Sequence, residues 1–121
     1  MITEGGKAIP SAVPVTPMNI DMVTKNLNKA MPLGIDTYPI GSAGKKSISS
    51  DVDVLIDADQ LLEVFPLEEL KLARQALEKH FANMGLETKR TGVSVHVGIP
   101  NGDGGVAQVD IMAVQNAKAA Q

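Results

Sequence analysis

The chain has 121 residues and no cysteine, which bounds it to one domain without disulfides or thiolate metal sites. Aromatics make up 2% of it against 44% hydrophobic residues, so its core has to be aliphatic, and a net charge of -3 excludes a surface built as a whole to coat nucleic acid. No apolar run approaches the roughly 20 residues that cross a bilayer, the N-terminus lacks a basic stretch followed by an apolar one, and the missing cysteine fits an intracellular, cytoplasmic protein.

Residues 1–17 are rich in glycine and proline, with Pro10, Pro14 and Pro17 spread through them, and read as a flexible extended arm. Residues 18–121 read as the domain proper. Ile20, Val23, Leu27 and Met31 recur at helical spacing, so a helix is expected over 18–31, capped by Thr16 or Asn19 and stopped by Pro32 and Gly34. A short strand follows over 37–40. A second, over 51–56, turns Val52, Val54 and Ile56 to one side and Asp51 and Asp53 to the other. A short helix is expected over 58–64. A longer one is expected over 67–84, with Glu68 and Glu69 in its first turn, Leu70, Ala73, Leu77, Phe81 and Met84 as its apolar stripe, and Gly85 at its end. Strands over 93–99 and 106–112 flank the turn sequence Asn101-Gly102-Asp103-Gly104-Gly105 and form a hairpin. Ala107, Val109 and Ile111 share one of its faces, Gln108 and Asp110 the other. A final helix is expected to begin near Gln115.

The chemistry concentrates in IGSAGKKSISSDVDVLID, from Ile40 to Asp57. Residues two apart on a strand point the same way, so Asp51 and Asp53 project together. Two adjacent carboxylates repel, and a cation between them resolves the repulsion. Hard oxygen ligands suit Mg²⁺ or Mn²⁺. Gly41 lets backbone N–H groups approach a phosphate, and the Ser42 hydroxyl adds a donor. Lys45 and Lys46 bring positive charge for a triphosphate. Asp110, alone among the apolar residues of VAQVDIM, is the candidate third carboxylate, placed to bind the catalytic metal and help deprotonate an acceptor hydroxyl.

Gly-Ser, a short loop, Asp-hydrophobic-Asp-hydrophobic and a later lone Asp on a strand together resemble the polymerase-beta-like nucleotidyltransferase superfamily. Gly41, Ser42, Asp51, Asp53 and Asp110 carry the likeness, which spans roughly residues 18–112; GKKSISSDVDVLID also looks like nucleotidyltransferases encoded by some bacteriophages. The resemblance implies an α+β fold, a small mixed sheet backed by helices, and dependence on Mg²⁺ (or Mn²⁺). It also implies transfer of a nucleoside monophosphate from an NTP to an acceptor hydroxyl on RNA, a protein side chain or a small molecule. Relatives usually add a second, often helical domain, so the chain is expected to be a minimal member or the N-terminal part of a longer protein. The loop between Ser42 and Asp51 also lacks the arginine that many relatives carry, and lysine is a point charge instead of a bidentate fork.

Each feature has a plainer reading. Asp-Val-Asp alone is more often a solvated strand edge, Gly41-Ser42 an ordinary turn, and Lys45-Lys46 a solvated loop; order and spacing together favour the site. A phosphate loop at Gly44-Lys45-Lys46-Ser47 fails because Pro39 stands at its first glycine. A calcium loop from Asp51 fails because Ile56 and Leu62 replace its glycine and its last glutamate. His80 reads as a partly exposed helix residue; His96, on the polar side of its strand and next to the strand that holds Asp110, reads as a surface histidine, with approach to the site as the alternative. Lys71, Arg74, Lys79, Lys89 and Arg90 read as a solvated face. The rival to an enzyme is a catalytically silent nucleotidyltransferase-like domain that acts as an interaction or assembly module.

Overall fold

A computed structural model describes residues 8–40 and 49–120. In chain order it contains α1 (Pro17–Ala30), β1 (Thr37–Ile40), β2 (Val52–Asp57), α2 (Ala58–Val64), α3 (Leu70–Asn83), β3 (Thr88–Thr91), β4 (Ser94–Pro100), β5 (Val106–Val114) and α4 (Ala117–Ala120). The strands form one mixed sheet in the order β1-β2-β5-β4-β3. β2 and β5 run parallel, while the other neighbouring pairs run antiparallel. The chain is therefore α+β, with a small mixed sheet backed by helices.

Alternation along the strands decides which face is covered. Val52, Val54 and Ile56 of β2, Val95, Val97 and Ile99 of β4, and Ala107, Val109 and Ile111 of β5 are buried in one aliphatic core. Val23 and Leu27 of α1, Leu61 of α2, and Ala73, Leu77 and Phe81 of α3 fill the same core. Each buried valine, leucine or isoleucine among them contributes about 1.5–3 kcal/mol. Phe81 is the largest fully buried side chain. Phe81→Ala is expected to lower stability by about 3–5 kcal/mol, read as a shift in the urea unfolding midpoint with an unchanged slope.

The helix ends follow local chemistry. Pro17 opens α1 after Thr16, and the α1 face of Ile20, Val23, Leu27 and Met31 turns inward as expected. Asp57 caps α2 by accepting from the Asp59 N–H at 2.8 Å. α3 begins later than its periodicity suggests, because Glu69 is its N-cap and neither Glu68 nor Glu69 lies in the first turn. It ends at Gly85, whose φ of +84° allows Leu86 N–H to reach Phe81 O at 3.2 Å and Gly85 N–H to reach Ala82 O at 3.0 Å, closing the paired C-terminal turn that glycine favours. Met84 leaves the apolar stripe and is half exposed.

Two further features differ from the expectations. β3 is an added edge strand whose sequence, TKRT, has no apolar residue; charged side chains suit an unprotected sheet edge. Arg90 on it meets Glu78 of α3 at 3.3 Å, so it is not simply solvated. The described part of the N-terminal arm turns at Ile9–Ala12 and is seated on the body. Ile9, Ala12 and Val15 are buried. Val13 N–H donates to Val106 O at 2.9 Å, and Val15 exchanges two backbone hydrogen bonds with Ser49. The arm thus ties together the entrances to the parallel strands β2 and β5. Among the described residues, no helix is long and apolar enough to cross a membrane.

Candidate active site

The parallel register of β2 and β5 places Asp53 directly opposite Asp110, and the antiparallel register of β5 and β4 places Asp110 opposite His96. Residues paired across a sheet share a face, and Asp51 lies two residues before Asp53. All three acids therefore lie on the face opposite the helix-backed core. One carboxylate oxygen from each of Asp51, Asp53 and Asp110 lies within 4.8 Å of the others. The expected acids thus come together. Asp57, further along the same stretch, is instead committed to capping α2. Gly41, Ser42 and Lys45, expected at the phosphates, lie outside the described residues.

Electrostatics show how crowded the group is. Burial raises the Asp51 carboxyl first; a hydrogen bond to Asp110 and the negative charges of Asp110 and Asp53 raise it further, to about 7. Asp53 is also raised, by burial and then by the charge of Asp110. Like charges in a partly desolvated site resist joint ionisation. Three hard oxygen donors in such a cluster match the ligand set of Mg²⁺ or Mn²⁺, and a cation among them would convert mutual repulsion into shared attraction. The donor chemistry therefore fits the metal that the resemblance implies.

A cleft of about 310 Å³ opens beside Asp53 and Asp110, walled by Ile40, Leu55, Ser94 and Met112. Its apolar walls and single hydroxyl leave the two acids as its charged groups. A reacting group held there would lie directly beside the carboxylates.

His96 is not a surface residue. It is 9% exposed, and its Nδ1 lies 2.7 Å from Asp110 Oδ1. Gln108, 2% exposed, donates from Nε2 to the same oxygen at 2.9 Å. The sequence puts Gln108 on the face of Asp110 and holds approach of His96 to the site as the lesser alternative; the signal for His96 is the hairpin, because positions 96 and 110 are equidistant from Asp103 at the centre of its turn. The turn itself is built on Asn101, whose side-chain oxygen accepts from Asp103 N–H at 2.8 Å and Gly105 N–H at 3.2 Å. His80 is half-buried, with Nε2 2.7 Å from Ala30 O, and takes no part in the site.

No family model matches the sequence, and no curated protein matches it significantly. Among solved structures, the chain is similar to Cid1, described for its RNA terminal uridylyl transferase activity, at 18% identity and a TM-score of 0.47. The likeness covers 83% of this chain and 29% of that one, so the chain spans less than a third of that structure's length.

Proposed function

We propose that the chain is a metal-dependent nucleotidyltransferase that moves a nucleoside monophosphate from an NTP to an acceptor hydroxyl. The observation that carries this reading is the convergence of Asp51, Asp53 and Asp110 from two parallel strands, with ligand oxygens within 4.8 Å. It is supported by the order of motifs along the sequence, from Gly41-Ser42 through Asp-Val-Asp to the later aspartate.

Asp51 and Asp53 hold Mg²⁺ or Mn²⁺, and Asp110 completes the ligand set. A bound divalent cation supplies charge neutralisation on the phosphates and polarises the attacked phosphorus. Gly41 and Ser42 cradle the phosphates, with Lys45 assisting. Asp110 accepts the proton of the acceptor hydroxyl as its oxygen attacks the α-phosphorus in line. The new O–P bond forms while the bond to the β-phosphate oxygen breaks, and pyrophosphate leaves. The cleft beside Asp53 and Asp110 is the place from which an acceptor approaches. This role requires Asp51 to be ionised, which its neighbours oppose until a cation arrives.

The test is label transfer from each α-labelled NTP in the presence of Mg²⁺ or Mn²⁺, offered RNA, the protein itself and small hydroxyl compounds as acceptors, with pyrophosphate release followed in parallel. The expected result is divalent-dependent transfer to at least one acceptor class. Binding of the cation and nucleotide without transfer to any of them would overturn the enzyme and leave the assembly module.

A further inference from the structure

Asp110 has to present a carboxylate oxygen in a fixed direction within a crowded group of three acids. Its Oδ1 is held from two sides, by His96 Nδ1 at 2.7 Å and by Gln108 Nε2 at 2.9 Å. An ionised carboxylate only accepts hydrogen bonds, so His96 carries a proton on Nδ1. Its other nitrogen, Nε2, meets the Thr91 hydroxyl at 2.5 Å, which fixes the plane of the ring from the edge strand β3.

Gln108 is held in turn. Its Oε1 accepts the backbone N–H of Ile9 at 3.0 Å, which orients the amide with its NH₂ group toward Asp110. Ile9 is fully buried but stands apart from the core between sheet and helices. It lies over Gly98, where an added Cβ would come within 3.2 Å of Ile9 Cγ2. A turn closed by Ala12 N–H to Ile9 O at 3.0 Å, with Pro10 in its first central position, stiffens the segment at this point. The N-terminal segment therefore crosses the acidic face of the sheet and reaches the site through one side chain.

We propose that His96 and Gln108 are positioning residues that engage Asp110 Oδ1 and so turn Oδ2 toward the cation, and that the backbone N–H of Ile9 sets Gln108, making the N-terminal segment a working part of the metal site. The inference rests on the metal-binding reading given above. Partners of this kind behind a metal ligand usually matter about 10–100-fold in affinity.

The test measures Mn²⁺ affinity of the full chain from the loss of the free Mn²⁺ resonance, with folding checked by circular dichroism, so no acceptor or nucleotide is needed. Gln108→Leu and His96→Ala are each expected to weaken Mn²⁺ binding about 10-fold or more. His96→Asn places an amide N–H near the former Nδ1 and is expected to recover most of the loss; His96→Gln reaches toward Thr91 and is not. Ile9→Pro and Ile9→Ala both lose the large side chain, but only the proline lacks the N–H, so Ile9→Pro is expected to resemble Gln108→Leu and Ile9→Ala to bind more tightly. Should His96→Ala fail to fold, the asparagine and glutamine variants decide the matter for His96. Equal affinity in His96→Asn and His96→Gln, or in Ile9→Ala and Ile9→Pro, overturns the positioning roles. Wild-type affinity in Gln108→Leu and His96→Ala, with binding lost in Asp53→Asn, overturns this inference alone. A wild type that binds Mn²⁺ no better than Asp53→Asn overturns both it and the metal site.

Discussion

Asp53→Asn is expected to lower nucleotidyl transfer on the order of a thousandfold or more, because it removes a metal ligand whose contribution is concentrated in the transition state. The change is nearly isosteric, and Asp53 is exposed on the open face of the sheet, so folding should survive it. Asp110→Asn should cost at least as much, since it removes both a ligand and the acceptor of the hydroxyl proton. Its damage should extend to the divalent dependence: raising Mn²⁺ should recover part of the Asp53→Asn loss by mass action, but less of the Asp110→Asn loss, because a restored cation does not restore the proton acceptor. Steady-state transfer measured across a Mn²⁺ series, with circular dichroism on each variant, checks this. Activity in Asp53→Asn equal to wild type would end the enzymatic reading.

The second large effect is on stability. Asp51 ionises near 7 in the folded chain against an ordinary 3.8, and Asp53 is shifted in the same direction. Between those values the folded state binds more protons than the unfolded one, so the stability contributed by the protonated acids is complete below about 4 and is lost as pH rises through about 7. Without a divalent cation, the acidic group is therefore expected to make the protein less stable at about pH 8 than at about pH 5. Binding of the cation requires the ionised carboxylates, so its stabilisation should run the other way, large at about pH 8 and small at about pH 5. At tenfold excess over the dissociation constant the gain is about 1.4 kcal/mol, or roughly 5 °C in melting temperature for a domain of this size. Asp51→Asn should raise the metal-free melting temperature at the higher pH and abolish most of the Mn²⁺ shift. Melting curves at both pH values, with and without Mn²⁺, read all of these signs. A Mn²⁺ shift that is the same at both pH values would mean that the three acids are not its origin.

Local chemistry made much of the fold legible. The period-two alternation of Val52, Val54 and Ile56 against Asp51 and Asp53 is a property of any half-buried strand, and the structure buries the first three together. β1 and α2 have the bounds that their sequence suggests, because Gly, Pro and the Asp57 cap punctuate them. The hairpin was legible from its glycine-rich turn, and with it the face shared by Gln108 and Asp110. The parallel pairing of β2 with β5 is a different matter. It joins residues separated by two helices and two strands, and only the later lone aspartate hinted that the two segments meet.

What escaped the sequence reading depends on such non-local pairing. Ile9, Ala12 and Val15 are scattered among prolines and glycines, with no periodicity to mark them as buried. Ala12 and Val15 are seated by backbone pairing of their segment with Val106 and Ser49, and Ile9 by its N–H on Gln108 Oε1 and its place over Gly98. TKRT looks like solvated charge and becomes a strand only because β4 offers it an edge. His96 looked like a polar-side residue until the register set it beside Asp110. The phosphate-binding roles expected of Gly41, Ser42 and Lys45 lie outside the described residues, and those roles rest on the motif.

The proposed chemistry depends on Asp51, Asp53 and Asp110 meeting around a cation. Anomalous scattering from crystals of the full chain grown with Mn²⁺ and a non-hydrolysable NTP analogue tests it most directly. The expected peak touches oxygens of all three carboxylates, at about 2.0–2.3 Å, with phosphate oxygens completing the coordination. A peak bound elsewhere, or one that engages Asp51 and Asp53 while Asp110 stays turned away, would contradict it.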